Sequence, residues 1–191
     1  MSGYDPLGVS NVIRFPGADG DPIPAPLTVL AGGAEQRNNL IYAVGAAPSD
    51  TNGHIIAAET NNTDGIVSAT YNARGGSGDE SGVAFRIVDH RNFYDLVILS
   101  GGSLQMIAVI DGGFDHGGTF QILATHTIPS YSNTQDYEIG VRMEGDNLTI
   151  ILDGADITTV TNDTFNTATM HGLKFGGTNT GFDNLFLPFA A

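Results

Sequence analysis

From Gly65 onward the chain is a succession of short apolar or alternating segments, each closed by a turn signal. Residues 66–71 run into Asn72-Ala73-Arg74-Gly75-Gly76, residues 83–88 into Asp89-His90-Arg91-Asn92, and residues 93–99 into Ser100-Gly101-Gly102. Residues 104–110, 119–127, 137–143 and 148–152 come next, closed by Asp111-Gly112-Gly113, Pro129-Ser130, Glu144-Gly145-Asp146-Asn147 and Asp153-Gly154. Segments about ten residues apart, rich in β-branched residues and punctuated by Gly, Asn and Asp, predict a sandwich or barrel. No window of eleven or more residues carries a helical stripe, so the chain reads as all-β.

Period-2 parity then assigns faces. Val83, Phe85 and Ile87 form one core set, with Arg86 on the opposite face. Tyr137, Ile139, Val141 and Met143 form another, continued by Leu148, Ile150 and Leu152 across a tight turn. Two sheets packing through such inner faces lie about 10 Å apart.

The start of the chain departs from this pattern. Residues 1–26 hold five of the eight prolines, Pro6, Pro16, Pro22, Pro24 and Pro26, which favour extended backbone and forbid central-strand pairing. This predicts an extended N-terminal arm over 1–26 and a β-sandwich over 27–191, with a first strand beginning as early as residue 12. Such an arm is expected to lie on its own domain, on an identical neighbour, or on a different protein.

Composition narrows the classes. The 191 residues carry 7 Lys plus Arg against 21 Asp plus Glu, a net charge of −14, with no Cys and no Trp. Without Cys there are no disulfides, thiolate metal sites or thiol nucleophiles. With Lys174 as the sole lysine, no basic patch exists for nucleic acid or for an anionic membrane surface. No apolar run approaches the ~18 residues of a spanning helix. No basic region precedes Arg14, so no secretory signal is expected.

Several segments, in order, resemble the concanavalin A-like, laminin-G-like jelly-roll family. Phe15-Pro16-Gly17-Ala18-Asp19-Gly20 is similar to its opening, Gln36-Arg37-Asn38-Asn39-Leu40-Ile41-Tyr42 to its second strand, and Asp64-Gly65-Ile66-Val67-Ser68-Ala69-Thr70 to its third. Gly82-Val83-Ala84-Phe85-Arg86-Ile87-Val88-Asp89, followed by Asn92-Phe93-Tyr94, resembles the family most, and Gly181-Phe182-Asp183-Asn184-Leu185 is similar to its last strand. Asp21-Pro22-Ile23-Pro24-Ala25-Pro26 departs from it, replacing the usual Leu-Gly and Trp-containing stretch. The resemblance implies a two-sheet antiparallel jelly roll with a concave face, and a range of roles: glycan binding, accessory modules on bacterial surface enzymes, parts of bacteriophage virions, and some glycoside hydrolases. Fold alone does not choose among them.

Candidate chemistry is sparse. Glycoside hydrolysis needs two carboxylates flanking one bond, and the Glu-x-Asp-x-x-Glu strand motif of hydrolases with this fold is absent. Asp79 and Glu80 are adjacent, so on a strand they point to opposite faces. No Gly-x-Ser-x-Gly elbow occurs, and the five histidines lack metal spacing. Gly75-Gly76-Ser77-Gly78 lacks the following Lys of a phosphate loop and reads as a hairpin loop. Calcium is the one cofactor candidate, at Asp19, Asp21 and Asp183 if the first and last strands pair, or at Asp111 with Asp115; turn-forming Asp beside Gly accounts for the same positions. For glycan binding the outward-parity set is Arg86, Tyr94, Gln105 and Arg142, expected together on the concave face, the alternative being a solvated face whose arginines pair with acids.

These features predict a non-enzymatic structural or attachment protein, on the surface of a bacteriophage virion (capsid decoration or tail) assembled in the host cytoplasm. The arm would contact an identical copy or another virion protein. A free or accessory carbohydrate-binding module is the alternative, and a glycoside hydrolase the third reading.

Overall fold

The computed structural model describes residues 11–47, 49, 53–72, 79–113 and 117–190. Within them the chain forms strands β1 (Val12–Ile13), β2 (Thr28–Ala31), β3 (Ala34–Arg37), β4 (Leu40–Ala43), β5 (His54–Glu59), β6 (Gly65–Asn72), β7 (Asp79–Asp89) and β8 (Asn92–Leu99). β9 (Ser103–Ile110), β10 (Thr119–Thr127), β11 (Asp136–Glu144), β12 (Asn147–Leu152), β13 (Ala155–Thr161), β14 (Met170–Phe175) and β15 (Gly181–Phe186) complete the set. There is no helix among the described residues.

The strands build two antiparallel sheets. One runs β13-β12-β11-β6-β15-β4-β3, with β1 added on β15; the other runs β10-β9-β8-β7-β14-β5-β2. Between them lies the main core, in which Val67, Ala69, Tyr71, Ile139, Val141, Met143, Leu148 and Ile150 meet Val83, Phe85, Leu96, Ile98, Met106 and Leu173. Alternation therefore selects the inner face as expected for β11 and β12.

Parity fails at one place, and the failure has a local cause. Arg86 adopts φ +46, and the register of β7 against β8 shifts between Phe85 and Asp89. An extra residue at such a bulge reverses the facing of the residues beyond it. Ile87 is buried, but it joins Ala84, Ile55, Ala57, Phe93 and Val109 in a second cluster on the outer face of the seven-stranded sheet.

A second difference concerns residues 36–42, which the family resemblance presents as one strand. They form the hairpin β3–β4 instead, because Asn38 and Asn39 take φ +49 and +62 and make a two-residue turn between the paired Arg37 and Leu40. Of the Pro-rich arm, residues 1–10 lie outside the described residues. The rest runs along the chain's own sandwich: Val12 and Ile13 pair with Phe186 and Leu185, Phe15 enters the main core, and Asp21 bridges Gln36.

The middle of the seven-stranded sheet is floored by small residues. A Cβ added at Gly82 would lie 1.8 Å from the Leu96 carbonyl oxygen, and one at Gly172 1.9 Å from that of Ile56. Neither neighbour is a side chain that can swing away. Gly172→Ala is accordingly expected to cost at least ~2 kcal/mol, read as a lowered urea midpoint with an unchanged slope.

Candidate functional site

The four residues expected on one concave face occupy four separate environments. Tyr94 belongs to the main core, stacked on Phe85 with centroids 5.3 Å apart and edge-on to Phe165 at 4.9 Å. Its hydroxyl donates to Asn162 Oδ1 at 2.5 Å and accepts the Phe165 N–H at 3.2 Å. Inward parity in β8 makes Tyr94 a core residue, and no solvent-borne ligand reaches it.

Arg86 is also fully buried. The bulge turns its guanidinium toward loops of the opposite sheet. Nε donates to Thr63 O at 3.1 Å, and Nη2 to Asp64 Oδ1 at 3.2 Å and Gly145 O at 2.5 Å. Its backbone N–H donates to His171 Nδ1 at 3.1 Å, which leaves the proton on Nε2, facing Asn62 O at 2.9 Å. Burial, with the neighbouring Arg86 charge adding to it, lowers the His171 pKa to about 4. Arg86 and His171 thus tie the two sheets at one end of the sandwich.

Arg142 and Gln105 face outward on different sheets. Arg142, on the eight-stranded sheet, makes a bidentate pair with Asp156 at 2.7 and 2.9 Å. Gln105 is half-buried on the outer face of the seven-stranded sheet, in a register row that reads Thr125, Gln105, Val97, Gly82, Lys174, Ile55, Ala31.

The aspartates expected to hold calcium are not drawn together. β1 does pair with β15, but by Asp19 the chain has run on to β3. Asp19 Oδ1 accepts the Asn38 N–H at 3.0 Å, and Asp21 Oδ2 the Ala18 N–H at 2.8 Å. Asp183 lies opposite Thr70 and accepts the Asn184 N–H at 2.7 Å. Among the described residues no three His, Asp or Glu side chains gather at metal-holding distance. Asp115 and the loop at residues 75–78 lie outside the described residues.

A different cluster stands out. In the row beside Gln105 the residues are Ile122, Ile107, Asp95, Ala84, Gly172, Ala57 and Thr28. Over this bare floor the long Lys174 side chain reaches diagonally to Asp95. Nζ lies 3.5 Å from Asp95 Oδ2 and 3.9 Å from Glu80 Oε2, with Lys174 and Asp95 buried and Glu80 exposed. Neither Asp95 oxygen gains a hydrogen bond among the described residues. Burial pushes the Asp95 pKa up to about 6 against the pull of Lys174. Asp95 is fully buried, so a glycosidic bond has no access to it.

Sequence reasoning missed this pair, though a signal was present. The only lysine of the chain stands inside Met-His-Gly-Leu-Lys-Phe, and Asp95 interrupts Asn-Phe-Tyr-Asp-Leu-Val-Ile-Leu. A lone charge within each of two apolar strands is a buried pair in the making.

No protein-family model matches the chain, and no curated protein sequence matches it. Solved structures do. Carbohydrate-binding module CBM66 from Bacillus subtilis matches with a TM-score of 0.66 at 16% identity, over 83% of this chain and 92% of that one. The jelly roll is shared. The catalytic domain of an endo-1,3-β-glucanase (laminarinase) from Thermotoga petrophila gives 0.55 at 10% identity, over 92% and 94%. The Caenorhabditis elegans galectin LEC-6 gives 0.50 at 11% identity, over 68% and 85%. At such identities the likeness is one of fold, and this jelly-roll sandwich evidently serves a binding module, a hydrolase and a galectin alike.

The two large shifts, at Asp95 and His171, pull stability in opposite directions with pH. Asp95 has a folded value of about 6 against 3.8 unfolded, so its contribution is present below about 3.8 and lost as pH rises through 6. Between pH 4 and 7 the Asp95→Asn variant is expected to gain on wild type by on the order of 3 kcal/mol in urea unfolding. His171 has a folded value of about 4 against 6.5, so its contribution is present above 6.5 and lost as pH falls toward 4. In the Asp95→Asn background this second slope should remain, and His171→Gln should remove it.

Proposed function

We propose that this domain is a non-enzymatic glycan-binding sandwich whose binding surface is the β9–β10 flank of the seven-stranded sheet. The observation that carries the reading is the half-buried amide of Gln105 among paired side chains of alternating character. Ser103 stands opposite Thr127, Gln105 opposite Thr125, and Ile107 opposite Ile122. Ser103, Gln105 and Ile107 are half-buried, while Thr125, Thr127 and Ile122 are exposed. A sugar ring offers a hydroxyl edge and an apolar C–H face, and this ladder places hydroxyl and amide groups next to a branched apolar pair. The likeness to CBM66 supports the reading, as does a buried Asp95 that no substrate reaches.

On the sequence resemblance we extend the reading to attachment at a bacteriophage virion surface, where the glycan would belong to the host cell. The acidic chain, at net −14, favours a neutral rather than an anionic glycan.

A panel of fructans, β-glucans, galactosides and bacterial surface polysaccharides tests this by calorimetry and by assay for released reducing sugar. The expected result is binding to a neutral glycan without hydrolysis, weakened at least ~10-fold by Gln105→Ala or Thr125→Ala. Silence across the panel, unaltered affinity in both variants, or release of reducing sugar would overturn it.

A further inference from the structure

The four outer edges of the two sheets are not equivalent. β2 and β3 are four residues long, and β3 carries Glu35 and Arg37, which pair with each other at 2.5 Å. β13 carries Asp156, held by Arg142. Short length and charge are the usual devices that keep an edge from pairing with another chain.

β10 has neither. Its nine residues, Thr-Phe-Gln-Ile-Leu-Ala-Thr-His-Thr, contain no Asp, Glu, Lys, Arg or Pro. One edge pairs with β9; the other meets no strand of its own sheet among the described residues, with β13 of the opposite sheet lying nearby but not paired to it. Most of its side chains are exposed or half-buried, and Ile122 is 58% exposed, the most of any large apolar side chain described. In a chain of net charge −14 two copies repel almost everywhere they approach. β10 is a long edge that itself carries no carboxylate.

We propose that β10 is a self-association edge, at which a second copy of this chain adds antiparallel through its own β10. A two-fold axis is the only closed arrangement in which one strand pairs with itself, and it makes that pair antiparallel. The one irregularity, a register shift between Ile122 and Ala124, sits at the middle of the strand. It divides the pairing into two four-residue ladders, one on each side of the axis. Thr119–Thr127 of each copy then supplies main-chain groups to the other, and the two seven-stranded sheets become continuous. This inference does not depend on glycan binding, although it would set two β9–β10 surfaces side by side.

Sedimentation velocity from micromolar to near-millimolar protein tests it, with amide hydrogen exchange on the same samples. Wild type is expected to show a monomer–dimer equilibrium, with amides of 119–127 gaining protection as concentration rises. Ile122→Lys should weaken association at least ~10-fold by placing like charges across the axis. Val29→Lys, on the opposite edge strand β2, should leave it unchanged. Gln121→Lys serves as a second β10 variant should Ile122→Lys fail to fold by circular dichroism. A wild type monomeric throughout the range, association unaffected by both β10 lysines, or equal disruption by Val29→Lys would overturn the proposal.

Discussion

The buried guanidinium of Arg86 fixes how the two sheets meet at one end. It leaves β7 at a left-handed residue and finds its acceptors on Thr63, Asp64 and Gly145, which belong to connections of the other sheet. A fully buried arginine is costly unless it is paired; here Nε and Nη2 find partners that draw together the β5–β6 loop and the β11–β12 turn, while Nη1 has no hydrogen-bond partner among the described residues. The same bulge frees the Arg86 N–H for His171, which sets that ring's tautomer and keeps it neutral beside a cation. It also reverses the facing of Ile87, so one backbone torsion shapes both faces of the sheet.

The seven-stranded sheet is consequently buried on two sides. Its inner face builds the main core and its outer face a second apolar cluster, across which Lys174 and Asp95 lie as an enclosed ion pair. Burying such a pair is costly, and small residues at positions 82, 84, 172 and 57 give the two side chains room to lie flat. What stays open on this face is its β9–β10 flank.

Much of this was legible in the residues. The strand segments of the middle and C-terminal parts arise from alternation and Gly/Asn/Asp turns, and the inner faces of β11 and β12 from parity alone. Parity cannot foresee a bulge, which is why Arg86 and Ile87 fell on the wrong sides. It also cannot say which of two parities in a strand apolar throughout points inward, as with Tyr94 in β8. The Asn38-Asn39 turn was hidden for a different reason: Gln36, Arg37, Leu40 and Ile41 mimic one strand unless both asparagines are credited with positive φ. The Lys174–Asp95 pair needs the order of strands, because β14 and β8 are neighbours only through β7.

The pairing of β1 with β15 has a consequence for how such a domain can be joined to others. Val12 and Phe186 are register partners, so the incoming and outgoing chain run side by side in opposite directions, about 5 Å apart. A host protein could therefore carry the whole sandwich within one of its surface loops without parting the ends of that loop. Equally, a short peptide could join the two ends and allow the chain to be reopened at an exposed turn away from the Arg86 tie, such as Asp153-Gly154.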